Sequence, residues 1–165
     1  MRHYLLVIAL LISIVSTAQH RRKERNPVFH EISNKEVVQS VFADAMKVEK
    51  VNDYSFKIVD NKNKVKGFAL TSELVCKDIM GYNNTTPVMI ITDKNKVIKK
   101  VSILSNYETL SYVNKLNNSG FFNSWNNFKL KDAKKVEPDG YTGATITAKA
   151  VKKNIDFLLD ITTKK

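Results

Sequence analysis

Cysteine is almost absent from this 165-residue chain: Cys76 stands alone. No disulfide can form within the chain, and a cysteine-ligated metal centre lacks its ligands. Histidine is scarce and placed away from any folded chemistry, because His3, His20 and His30 all precede the segment whose apolar periodicity reads as folded. That excludes zinc triads and Ser/His or Cys/His nucleophile pairs built within the domain. Carboxylates are also few, 16 against 27 basic residues, which leaves a net charge of +11. Such a balance suits nucleic acid, an anionic surface or an anionic ligand. The lysines, however, occur singly or in pairs, often in turns such as residues 61–64 and 93–96. Spread this way they read as a solvated surface, and no nucleic-acid-binding module is visible. A CxxCH motif and a nicotinamide-binding fingerprint are both missing, so neither covalent c-type haem nor a dinucleotide site is expected. What remains, 43% hydrophobic and 26% charged, is the balance of one globular domain rather than a disordered chain.

The N-terminus reads as an address. Arg2 and His3 precede a run over residues 4–15 that is apolar apart from Ser13, and small residues follow at Ser16, Thr17 and Ala18. Twelve helical residues span about 18 Å, too short for a hydrocarbon core of about 30 Å. Residues 1–18 are therefore expected to be a signal peptide cleaved after Ala18, giving an extracytoplasmic protein, periplasmic or on the outer face of the membrane. The alternative is an uncleaved N-terminal anchor with membrane association, since Arg21, Arg22, Lys23 and Arg25 follow directly and oppose translocation. Residues 19–32 read as a polar linker, and residues 33–165 as the domain.

Within the domain, Ser33 and Glu36 form a capping-box pattern that opens a helix over residues 33–47. Two strand–turn–strand units follow. Residues 54–59 and 65–74 flank a turn at 60–64, and residues 87–92 and 97–104 flank a turn at 93–96. Tyr54, Phe56 and Ile58 alternate onto one face. A short helix is expected over 109–116. The Asn-, Ser- and Gly-rich stretch 117–127 holds Phe121, Phe122 and Trp125, which must fold onto a core or a ligand. From 144 to 161, Ala148, Val151, Ile155, Leu158 and Leu159 fall on one helical face, with Thr142 or Thr145 as cap. The expected fold class is α+β, an antiparallel sheet of two hairpin pairs with an N-terminal and a C-terminal helix.

The mouth of that last helix carries the chemistry. In residues 139–147, Gly143 and Ala144 leave the backbone bare, and the hydroxyls of Thr142, Thr145 and Thr147 can converge. First-turn N–H groups and the helix dipole make such a place an anion site. Threonine and glycine also occur at helix starts for capping alone. By the same token Glu108 reads either as a functional group or as a plain surface carboxylate.

Asp139, Thr142, Gly143, Ala144, Thr145 and Thr147 resemble the flavinylation motif of the FMN-binding domain family: Asp, two residues, Ser or Thr, Gly, Ala, Thr or Ser, any residue, Thr. Members of that family include flavin-bearing components of the sodium-pumping NADH:quinone reductase and of the related Rnf complex. Upstream, Gly81 and Tyr82, the strand from Pro87, and Asn106, Tyr107, Glu108 and Thr109 are similar to further family features over roughly residues 78–161. The departures are Leu110 and Ser111 for Pro-Gly, Asn83 and Asn84 where a glycine is common, and Ala148 for a frequent serine. The resemblance implies FMN esterified through its phosphate to Thr147. Thr142, Gly143, Ala144 and Thr145 then hold the phosphate, and Glu108 and Thr109 border the isoalloxazine. It also implies a separate flavin transferase using FAD and Mg²⁺, since no histidine activates Thr147, and electron carriage between unnamed donor and acceptor proteins. Two rival readings are a non-redox ligand-binding module that kept the fold and a small flavin-dependent reductase.

Overall fold

Turn-forming aspartates and alternating apolar residues lay the middle of the chain out as five strands in the computed structural model, which describes residues 27–139 and 142–164. The expected signal peptide, residues 19–26 of the linker, Gly140 and Tyr141 lie outside the described residues. Strands β1 (Lys47–Lys50), β2 (Ser55–Val59), β3 (Val65–Thr71), β4 (Val88–Asp93) and β5 (Ile98–Ile103) form one antiparallel sheet in the order β1-β2-β3-β4-β5. The two expected hairpins are joined edge to edge, because β3 also pairs with β4 from Gly67 opposite Asp93 to Thr71 opposite Met89. Each hairpin turn is closed by its aspartate. Asp60 Oδ1 accepts from the N–H groups of Lys62 and Lys64, and Asp93 Oδ1 from those of Asn95 and Val97, the Asx geometry that mimics a backbone turn.

Helix α1 (Asn34–Gln39) starts as the capping pattern predicts, with Ser33 Oγ accepting from the Glu36 N–H at 3.3 Å. It ends far short of residue 47. The Ser40 hydroxyl turns back onto the Val37 carbonyl, and the chain runs instead into β1, which the sequence does not announce. Helix α2 (Leu110–Asn118), a 3₁₀ turn (Phe121–Trp125) and helix α3 (Thr145–Thr163) follow the sheet.

Side chains of β4 alternate between two cores, which is why this strand reads as an unbroken apolar run. Val88 and Ile90 face Leu116, Phe121, Trp125, Val151, Ile155 and Leu158 on the helical side. Met89 and Ile91 face Val37, Val38, Ile58 and Leu104 on the side of α1. The aromatics of 121–125 belong to the first core: Phe121 and Trp125 meet edge to face at 5.5 Å, and both are buried. Tyr54 leaves the face expected for it. Phe56 and Ile58 pack on the α1 side, while Tyr54 packs on the helical side and its hydroxyl reaches the Ile161 carbonyl. Among the described residues no helix is long and apolar enough to cross a membrane.

Ile155 is fully buried at the centre of the α3 contact. Ile155→Ala should lower the unfolding free energy by about 2–5 kcal/mol. Denaturant titration read from Trp125, the sole tryptophan, checks this; a loss well below that range would show that the core collapses onto the gap. Cys76 is buried, and burial pushes its thiol from 9.0 up to about 11. A raised acid favours the neutral form in the folded state, so its contribution to stability is full below pH 9 and is lost as pH rises towards 11. At about pH 8, below both values, an alkylating reagent should therefore modify Cys76 far more slowly in the folded chain than in urea.

Candidate functional site

Three segments that are distant in sequence meet at the N-terminal ends of α2 and α3. The first is the turn before β4. Gly81 donates its N–H to the Asn84 carbonyl at 2.7 Å, and Asn84 Oδ1 accepts from the Thr85 N–H. The second follows β5, where Asn106 is buried and its side chain spans a tight turn. Its Nδ2 donates to the Leu104 carbonyl, and its Oδ1 accepts from the Glu108 N–H at 2.9 Å. This Asx turn aims the Glu108 side chain inward. It is itself anchored by the chain before α1, for His30 and Asn106 exchange both backbone hydrogen bonds and the Ser105 hydroxyl bonds Ile32. Residues 30–32 of the expected linker are thus fixed to the site.

The Glu108 carboxylate joins the segments. Oε1 accepts from the Asn83 N–H at 2.9 Å, and Oε2 accepts from the hydroxyl of Thr147, on the third segment. Asn83 Nδ2 also donates to the Tyr107 carbonyl at 2.8 Å. Gly81 makes room for this. A Cβ there would stand 2.5 Å from Glu108 Oε1 and 2.5 Å from Thr86 Cγ2, so any larger residue would push the carboxylate off its seat. Glu108 is 1% exposed and Thr147 fully buried. Among the described residues no lysine or arginine pairs with this buried carboxylate. Its charge is offset instead by the two hydrogen bonds and by the positive ends of α2 and α3.

The helix mouth itself is bare. Ala144, not Thr142 or Thr145, occupies the N-cap of α3, and no side-chain hydrogen bond caps it. Thr109 caps α2 in position only, also without a side-chain bond. An uncapped first turn keeps its N–H groups directed outward, available to an anion. Gly143 has φ of +82° and leads the chain into this mouth. Its missing side chain admits Lys115 from α2, whose Nζ would lie 2.6 Å from a Cβ built on Gly143. The starts of α2 and α3 thus meet through the Glu108–Thr147 bond, with a bare left-handed glycine and the Lys115 ammonium beside the α3 mouth. Residues of this kind fit a phosphate group.

The structure brings Thr147 and Glu108 into direct contact and leaves Thr142 and Thr145 exposed at the mouth. Thr109 is half-buried at the start of α2. The surface reading of Glu108 is overturned by its burial and its bond to Thr147. Asn83 and Lys115 escaped the sequence reading. Asn83 stands where the family pattern often has glycine, yet neither Asn83 nor Asn84 has a positive φ, and the Asn83 side chain contributes a hydrogen bond to the Tyr107 carbonyl that glycine could not. Lys115 carries no motif, and its spacing four residues from Ser111 and Ser119 resembles that of any exposed helix lysine. Exposed apolar side chains edge the same three segments: Tyr82, Leu110 and Ile146. Tyr82 meets Tyr112 edge to face at 5.4 Å.

An antiparallel sheet that presents an uncapped helix mouth with Lys115 beside it defines a small α+β domain. Residues 81–160, which include every part of this site except its anchor at 30–32, match the family described as FMN-binding domain. No curated protein matches the chain.

A side chain at Gly143 must adopt the left-handed backbone and move Lys115. Gly143→Ala should cost about 1–2 kcal/mol of stability from the backbone alone. Lys115→Ala, which removes an exposed and flexible side chain, should leave the unfolding midpoint unchanged. Equal losses in the two variants would show that the lysine contact, rather than the backbone, is what the glycine protects.

Proposed function

We propose that the chain is an exported flavoprotein that carries FMN covalently on Thr147 and passes electrons between redox partners. The family match supports FMN as the cofactor. The observation that carries the covalent reading is the mouth of α3, where a hydroxyl sits among first-turn N–H groups that no side chain caps. Thr142, Gly143, Ala144 and Thr145 hold the phosphate there, and Lys115 supplies a countercharge. Tyr82, Leu110 and Ile146 offer apolar surface to the flat isoalloxazine next to Glu108 and Thr109. When bound, the flavin supplies one- and two-electron chemistry, while the protein fixes and presents it. A phosphoester suits an exported chain, because a flavin held without a bond can diffuse away outside the cell. Attachment is assigned to a separate transferase that uses FAD and Mg²⁺. Export rests on the apolar run at 4–15 and the small residues after it.

A second reading, a ligand-binding module without redox function, draws on the complete burial of Thr147. Attachment requires the seam between the Asn83 turn and the helix mouth to open. The Asn83 turn is held to the segment before α2 by its bonds to Glu108 and Tyr107, and Glu108 in turn holds Thr147; intramolecular hydrogen bonds contribute about 0.5–1.5 kcal/mol each, more where one partner is charged.

Intact and peptide mass after co-expression with a flavin transferase decides between the readings. The expected mass gain is one FMN less one water, on the peptide containing Thr147, with no gain in Thr147→Ala. An unchanged mass, while a control acceptor is modified, assigns Thr147 a structural role and leaves the binding-module reading.

A further inference from the structure

Threonine is a weak nucleophile until a base removes its proton, and the group hydrogen-bonded to the Thr147 hydroxyl is a carboxylate, not a histidine. The Glu108 carboxylate nevertheless rests on the Thr147 hydroxyl, in a seat that three other contacts define: the Asn83 N–H on its second oxygen, the Asn106 side chain on its backbone, and Gly81 beneath it. We infer that Glu108 is the proton acceptor for flavin attachment, so that the acceptor chain carries its own catalytic base. The inference rests on the covalent reading above.

The step balances within the site. Thr147 Oγ1 forms a bond to the flavin-side phosphorus of FAD, and the phosphoanhydride bond breaks. AMP leaves with that electron pair, and the hydroxyl proton passes to Glu108 Oε2. One negative charge, the carboxylate, is replaced by one negative charge, the new phosphodiester. This exchange matters because two adjacent anions with little water between them repel strongly. Protonated Glu108 can then donate to an oxygen of the phosphodiester, in place of the bond it accepted from Thr147. The geometry also explains why a carboxylate is buried here without a cation: it occupies the anion site that the two helix ends create.

Glu108→Gln isolates the proton transfer. The amide oxygen can still accept from Asn83, and the amide nitrogen can donate to Thr147 Oγ1, so the shape and both contacts persist while no proton can be taken. With the full chain as acceptor, a flavin transferase, Mg²⁺ and saturating FAD, the initial rate of mass gain in Glu108→Gln should fall by about 10²–10⁴-fold. The acceptor KM should stay at the wild-type value, and the variant should unfold in one transition like the wild type. A folded Glu108→Gln chain modified within about threefold of the wild-type rate, well short of a general-base effect, overturns the inference and leaves the covalent reading intact. If Glu108→Gln does not fold, Glu108→Asp replaces it, since a shorter carboxylate keeps both the charge and the base. A folded Glu108→Asp chain that takes up no flavin also overturns the inference. A wild-type chain that gains no mass beside a modified control removes the covalent reading, and this inference with it.

Discussion

The Thr147–Glu108 hydrogen bond is the contact on which the functional end of the molecule depends. It ties the start of α3 to the start of α2 and, through Asn83, to the turn before β4. Three segments with no shared secondary structure acquire a fixed relation through one carboxylate. Helix starts normally repel one another, because each presents the positive end of a dipole. A buried anion between them reverses that, and its cost of burial is offset by the same fields that would otherwise push the helices apart.

The surrounding domain is arranged so that this end stays free of other duties. Packing energy is concentrated at the opposite side of α3, where Val151, Ile155, Leu158 and Leu159 are fully or nearly fully buried against β4 and the 3₁₀ turn. The mouth contributes little apolar area beyond Ala144 and Ala148. The helix is therefore held by its middle and its C-terminal half, and its first turn can exchange hydrogen-bond partners without loosening the core.

Much of the fold was legible because short-range chemistry agreed with the long-range result. Asp60 and Asp93 mark their turns through their own side-chain bonds, and the β4 run is apolar because both its faces are covered. Strand β1 was not legible. Lys47, Val48, Glu49 and Lys50 show no alternation, since this edge strand buries neither face and is held by backbone pairing to β2. The end of α1 was missed because the signal is a single hydroxyl turning back, which in sequence looks like any helix serine. In the site, Thr147, Gly143 and Ala144 announced themselves through their spacing. Glu108 was recognised as a position, but its burial was invisible, because an isolated carboxylate reads as surface until the fold supplies its donors. Asn83 and Lys115 act only through tertiary proximity and belong to residue types common in any turn or exposed helix.

A meander in which every strand lies beside its neighbour in sequence closes through local pairings, with the longest connection the 72–87 stretch between β3 and β4, and local pairings form early and quickly. The contact between Glu108 and Thr147 spans 39 residues of chain, and its closure entropy is recovered only when α3 docks. The sheet can therefore assemble before the site exists. The site then waits on the docking of α3, whose first turn carries Thr147.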